Sequence, residues 1–370
     1  MNPSFNKFLF GGLALIAVSC VRTVNVPIRN VAPIPVVEGM VTNEAPPYNI
    51  RLSYSGQFKN IYEDSAIHYI NDAQVSIKDD SGDSVSCAWV GNGNYETTDS
   101  TFKGIAGRSY ILTVRLSNGK TYISKPAKME AAVPINSISI IYDNTIGDFR
   151  PTQLIISANT QDPPGIHNYY RWTAYGYIPR KSVGDDCEPP AHPPCEQPGS
   201  RSCNCCPYLC TCHAFCEQLL RNDQVNILSD KYMDGQNIQQ PVFYSPVYWH
   251  GKHFIEIKQQ SLTQSDYQYW QRYLEQTNRT GSILDPLPSS VTGNIYNQSD
   301  SSDLALGLFS AMGIITKKVT ILPFFLQDYL LIGVASTYIL PGDCDCVFPN
   351  TLPDDADAPG WETAQLIEMK

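Results

Sequence analysis

Charge is scarce in this 370-residue chain: Asp, Glu, Lys and Arg together make up 17% of it, and no cluster of lysines or arginines occurs anywhere. Phosphate backbones are bound through a basic footprint, so nucleic acid is excluded as a partner. No Gly-x-Ser-x-Gly elbow, His-Glu-x-x-His pair or glycine-rich phosphate loop with lysine is present, which removes the motif-borne hydrolases and nucleotide enzymes. Paired carboxylates of a glycosidase meet in space and leave no sequence spacing, so an envelope hydrolase survives only as a third reading. Histidines number six, and the only close pair, His250-Gly251-Lys252-His253, reads as a solvated turn. In a strand its first and fourth residues would face opposite ways and could not share a metal. Beyond residue 20 no apolar run is long enough to cross a bilayer, because residues 319–340 are interrupted by Pro323, Gln327 and Asp328 and read as two strands. The expectation is a protein without cofactor, metal site or catalytic residues.

What the chain does have begins at its first residues. Lys7, an apolar stretch over residues 8–18, and Ala17-Val18-Ser19-Cys20 form a bacterial lipoprotein signal, with small residues before the cysteine and an h-region too short to be an anchor. Ala17 stands where such a signal usually carries Leu. The alternative, an ordinary secretory signal that happens to end in Cys, is disfavoured because no cleaner Ala-x-Ala site follows. Residues 1–19 are therefore expected to be removed and Cys20 to be lipidated. Losing the single charge of Lys7 takes the net charge from −10 to −11. An acidic surface attracts anionic lipid poorly, so attachment rests on the Cys20 lipid.

The composition is rich in Tyr (22), Pro (27) and Gly (24), which favours strands joined by turns. After a tether over residues 20–34, short alternating runs at 36–42, 48–54, 73–79 and 110–116 are separated by turn sequences such as Asp80-Ser81-Gly82-Asp83, Gly91-Asn92-Gly93-Asn94 and Ser117-Asn118-Gly119-Lys120. This spacing predicts an immunoglobulin-like β-sandwich over residues 35–130. A second β-rich domain is expected over 131–343, with strands near 135–142, 154–158, 169–175, 242–244 and 254–258. It contains one prominent helix at about 263–279. Thr263-x-x-Asp266 has the form of a capping box, Tyr267, Trp270 and Leu274 recur at helical spacing, and Gly281 is placed as the stop. The aromatic stripe of that helix is read as packing on the sheet. An acidic, loose tail over 344–370 completes the mostly β, all-β to α+β, chain.

Twelve cysteines in an exported chain point to an oxidising compartment. With Cys20 used by lipid and Cys87 alone in a strand-like stretch as a buried free thiol, ten remain. These are Cys187, Cys195, Cys203, Cys205, Cys206, Cys210, Cys212 and Cys216 in an insertion over 187–216, plus Cys344 and Cys346. His192 and His213 stand nearby, but the insertion has no Cys-x-x-Cys knuckle, so disulfide staples are favoured over zinc or copper. Eight cysteines allow 105 pairings, and none is assigned.

Several of these segments, in order, resemble a Bacteroidota outer-membrane lipoprotein family of unknown function. They are Val36-Val37-Glu38-Gly39, Pro46-Pro47-Tyr48 before Arg51-Leu52-Ser53, Ala73-x-Val75-x-Ile77-x-Asp79, Pro134-Ile135-x-Ser137-Ile138, Asn168-Tyr169-Tyr170-Arg171-Trp172, Ser261-Leu262-Thr263 with Tyr267 and Trp270, Gly281-Ser282-Ile283-Leu284-Asp285-Pro286, Gly293-Asn294-Ile295-Tyr296-Asn297, and Leu306-Gly307-x-Phe309-Ser310. The resemblance implies a cell-envelope lipoprotein encoded beside TonB-dependent, SusC-like outer-membrane receptors. A non-enzymatic accessory binding or docking subunit of such a transporter follows, held in the outer membrane by its N-terminal lipid and facing outward. A periplasm-facing position is left open. The alternative is a surface adhesin or structural envelope protein.

Overall fold

The computed structural model describes residues 33–56, 67–143, 153–181, 215–221, 224–246, 253–278, 291–323 and 363–369. It is mostly β, as the composition requires. In the N-terminal part the strands are β1 (Pro35–Thr42), β2 (Asn49–Tyr54), β3 (Gln74–Asp79), β4 (Ser84–Gly91), β5 (Asn94–Thr97), β6 (Ser109–Arg115), β7 (Thr121–Ser124) and the short β8 (Ala127–Lys128). The turn sequences lie where expected. Asn92 and Gly93 both take positive φ between β4 and β5, and Gly119 does so between β6 and β7.

The second part comprises β9 (Ser137–Asp143), β10 (Gln153–Gln161), β11 (Tyr169–Lys181), β12 (Phe215–Arg221), β13 (Asn226–Ser229), β14 (Asn237–Pro246) and β15 (His253–Leu262). After them come α1 (Gln264–Thr277), β16 (Thr292–Asn297), β17 (Leu304–Pro323) and β18 (Gln365–Met369). The 20-residue β17 is the spine of the molecule. Its first half pairs in parallel with β1, from Val36↔Leu306 to Thr42↔Met312. Its second half pairs antiparallel with β15, from Ser261↔Gly313 to His253↔Ile321.

The N-terminal strands depart from the expected self-contained sandwich over 35–130. Their hydrogen-bonded order runs β1-β2-β5-β4-β3-β6-β7-β16-β17 and returns to β1, a closed, barrel-like ring. The interior holds Val37, Val41, Ile50, Leu52, Val75, Ile77, Tyr95, Leu112, Val114 and Tyr122 from the first strands, and also Ile295, Ala305, Phe309 and Ala311. Alternation along a strand states which face is buried but not which strand lies beside it, so residues 292–311 join a ring whose other members end near 128.

Closure at β16 uses side chains. Its ladder with β17 is irregular, Thr292↔Leu306 then Tyr296↔Leu304, and Asn294 fills the gap. Its Nδ2 donates to the Phe309 carbonyl at 2.7 Å and its Oδ1 accepts from the Phe309 N–H at 3.1 Å. The Gly293-Asn294-Ile295 and Leu306-Gly307-x-Phe309 segments are therefore one joint.

A sandwich does occur, in the second part. The sheet β14-β10-β9 packs on the face of β11, β15 and β17 that carries Tyr170, Trp172, Ala174, Ile255, Ile257, Val319 and Ile321, with Leu154, Ile156, Val242 and Phe243 opposite. Inside this core Gln259 satisfies three partners. Its Oε1 accepts from Trp172 Nε1 at 2.9 Å and from Thr160 Oγ1 at 2.6 Å, and its Nε2 donates to the Val133 carbonyl at 2.9 Å.

Helix α1 lies on the opposite face. Thr263 is its N-cap and accepts from the Asp266 N–H at 3.2 Å, as the capping box predicts. Tyr267 and Trp270 pack against Tyr169, Ile227, Leu262 and Ile314, which is the sheet packing read from the stripe. The helix ends at Thr277 with Asn278 as C-cap, short of the expected stop at Gly281, which lies outside the described residues. No described helix is long and apolar enough to cross a membrane. Two further expectations change. The tail is not loose throughout, since β18 pairs in parallel with β17 from Val319↔Gln365 to Pro323↔Met369. Cys216, placed in the insertion, sits in β12 opposite Arg180.

Candidate functional site

Most cysteines named above fall outside the described residues: Cys20, Cys187, Cys195, Cys203, Cys205, Cys206, Cys210, Cys212, Cys344 and Cys346. Cys87 is where it was read, on β4 beside Val75 and Thr97. It is a free, half-buried thiol, and burial pushes its pKa up to about 12, which makes it a poor nucleophile. His253 corrects the solvated-turn reading, for it is fully buried at the start of β15 with Nδ1 2.7 Å from Ser245 Oγ. Desolvation of the imidazolium lowers its pKa to about 4.

Two polar constellations remain, both built by the fold from distant residues. The first is a seam between the ring and the sandwich. Tyr48 donates its OH to the carbonyls of Thr42 (2.7 Å) and Glu44 (2.9 Å), fixing the loop after β1. That loop then grips β17: Asn43 Oδ1 accepts from Ile314 N at 2.6 Å and Nδ2 donates to the Ile314 carbonyl at 3.1 Å. Glu44 accepts from Thr316 Oγ1 at 2.7 Å and pairs with Lys258 Nζ at 2.8 Å. The buried Glu256 carboxylate lies 3.9 Å from Lys258 Nζ and 3.6 Å from Lys318 Nζ. Next to it, under α1, the Arg171 guanidinium stacks over Trp270 at 4.0 Å and donates to Gln260 Oε1 at 2.9 Å. Burial lowers its pKa to about 10. The seam ties the loop after β1 to β15 and β17, and each partly exposed ion pair adds up to about 1 kcal/mol.

The second constellation is acidic. Asp162 follows β10, and Asp230 and Asp234 follow β13. They converge because β13 lies beside β11 in the register Tyr169↔Ser229. One carboxylate oxygen from each lies within 4.8 Å of the others. Asp162 and Asp230 are fully buried, while Asp234 is exposed. Asp162 Oδ1 accepts from Tyr170 OH at 2.5 Å and from Asn168 Nδ2 at 3.3 Å, and its Oδ2 accepts from Gly235 N at 3.0 Å. Asp230 Oδ2 accepts from Asn168 N at 2.7 Å, and Asp234 Oδ1 from Gly165 N at 2.7 Å. Burial and the neighbouring Asp162 carboxylate both push the Tyr170 phenol well above its ordinary pKa, so it serves as a fixed donor. Two unit charges about 5 Å apart repel by roughly 3 kcal/mol at an effective dielectric constant near 20, so the cluster is electrostatically costly. Among the described residues no Lys or Arg pairs with it. Sequence reading missed these residues because Asp162-Pro163-Pro164-Gly165 and Asp234-Gly235 are ordinary turn sequences. The Asp-x-x-x-Asp-Gly spacing of 230–235 was the one local signal.

Together these features define a mostly β protein in which a closed strand ring continues through one long strand into a two-sheet sandwich, with an acidic three-carboxylate cluster at the end of β10 and β13. The chain belongs to the family described as Domain of unknown function (DUF4249), whose model matches residues 21–318. A comparison with curated proteins returns no match. Among solved structures, trypsin-activated alpha-2-macroglobulin from Escherichia coli aligns at 9% identity over 63% of this chain and 15% of its own, with a TM-score of 0.17. That likeness carries no argument about fold or function.

Proposed function

We propose that the protein is a lipid-anchored outer-membrane protein of a Bacteroidota cell envelope, held by Cys20, and acts as a non-enzymatic docking subunit for a TonB-dependent β-barrel receptor. The observation that carries this reading is the polarity of the strands. The tether over residues 20–34 leads into β1, and β17 starts level with it, Val36 facing Leu306, then runs on for eleven residues past Met312. Strand ends at the far pole are Pro323, Lys181 with Phe215, and Pro246 with His253. From these ends depart residues 182–214 and 324–362, which carry nine of the ten cysteines assigned to staples. The start of β1 and the strand ends that flank the two cysteine-bearing segments thus lie at opposite poles of the described body, which supports the reading. A tether of 15 residues reaches at most about 50 Å from the membrane, and a disulfide-closed segment loses little entropy on docking.

Affinity purification from detergent-solubilised membranes of the native host tests it. A β-barrel receptor is expected to co-purify with the wild-type chain and to be lost when residues 187–212 are replaced by a short Gly/Ser linker. Isolation of the wild type as a lone monomer overturns the docking role and favours an adhesin.

A further inference from the structure

We infer that Asp162, Asp230 and Asp234 form a binding site for a calcium ion. A group of carboxylates alone would be a pair of loops tied by hydrogen bonds. What points to a ligand is Asp230. Its side chain is completely buried, one oxygen accepts from Asn168 N, and the other, Oδ1, receives no hydrogen bond among the described residues. Among the described residues the nearest nitrogen able to carry charge is Nδ1 of His167 at 3.6 Å, on a side chain that is 73% exposed. A buried, unsatisfied carboxylate oxygen is expensive, and here it sits in a cluster that already accumulates negative charge.

A cation resolves both costs at once. Oxygens on opposite sides of one calcium ion are about 4.6–5.2 Å apart, twice the Ca–O distance, so three oxygens within 4.8 Å of one another fit one coordination sphere. The donors are all hard oxygens with no sulfur and no buried imidazole, which selects calcium or magnesium over zinc and copper. Magnesium keeps several waters. Two ligands that are wholly enclosed leave little room for them, which favours calcium. The protein also supplies the orienting shell: Tyr170 OH, Asn168 and Gly235 N hold Asp162, and Gly165 N holds Asp234. Asn168-Tyr169-Tyr170 is thus a segment that builds the site. This inference does not depend on the docking role.

The test uses the purified mature chain stripped with EGTA. Tyr170 donates directly to a ligand carboxylate, so terbium at the site is expected to give tyrosine-sensitised emission that calcium competes away and magnesium at the same concentration displaces far less. Calcium is also expected to raise the melting temperature. Asp234→Asn keeps the acceptor for Gly165 N and lies on the surface, so it folds, and it should weaken calcium binding by at least about tenfold, because affinity follows ligand charge. Asp230→Asn should do the same. His167→Gln should leave calcium affinity unchanged or raise it, whereas an imidazolium partner for Asp230 would make that variant less stable without any effect of calcium. Absence of sensitised emission and of a calcium-dependent melting shift at millimolar calcium, or binding that survives both Asp variants, overturns the site.

Discussion

Alanine at position 307 is expected to cost about 3–5 kcal/mol of folding stability. Gly307 has φ +91°, a conformation L side chains rarely adopt. A Cβ there would be driven into the backbone of Val37, its partner on β1. That obstacle is backbone, not a side chain that can swing away. The ladder Val36↔Leu306, Val37↔Gly307 must open to make room, and it is the ladder that closes the ring. Gly119 is the control: its φ is +86°, but a Cβ would meet nothing within 4 Å, so Gly119→Ala should lose only about 1 kcal/mol. Urea unfolding of the two variants beside the wild type measures the difference. Equal losses would show that β1 and β17 do not close the ring at this point.

The second large effect is a pair of opposed acid responses. His253 is held neutral, its pKa lowered from 6.5 to about 4 by burial. The unfolded chain therefore binds a proton that the folded chain does not, and stability contributed by this group is present above pH 6.5 and lost as pH falls toward 4. Asp266 behaves in the reverse way. Burial raises its pKa from 3.8 to about 6, only partly offset by the Thr263 hydroxyl. Here the folded chain holds the extra proton, so stability is greatest below pH 3.8 and is lost as pH rises through 6. Each response amounts to about 3 kcal/mol over its window, and between pH 4 and 6 the two nearly cancel. His253→Gln should therefore gain stability relative to the wild type as pH falls from 6.5 to 4, and Asp266→Asn should lose it. Parallel stability curves for all three proteins across that window would refute the burial of both groups.

How much of this was legible in the sequence follows from distance along the chain. The strands β1, β2, β3 and β6, the turns at 91–94 and 117–120, and the capped helix α1 are set by period and turn chemistry within about ten residues, and they lie where those signals put them. The ring was not legible. Phe309 and Ala311 are apolar alternating residues like any others, and only the parallel pairing with β1 makes them the interior of a body built mostly from residues 37–129. His253 looked like part of a polar turn because its partner Ser245 stands on the preceding strand, across residues whose placement the sequence did not suggest. The acidic cluster failed for the same reason: Asp162 and Asp230 meet only through the β11–β13 register. Conversely, the Asn168-Tyr169-Tyr170-Arg171-Trp172 and Gly293-Asn294 segments are legible in the sequence as family-like patterns. The former orients Asp162 and fills the sandwich core, and the latter seals the ring.

Placement of this body on a lipid surface is tested most directly by intact-mass spectrometry of the protein purified from native membranes. The expected result is a chain lacking residues 1–19 whose N-terminal Cys20 carries a diacylglycerol thioether and an amide-linked acyl chain, with Cys20→Ala left unprocessed. An unmodified N-terminus, or recovery of the wild type in the cytosolic fraction, would contradict it.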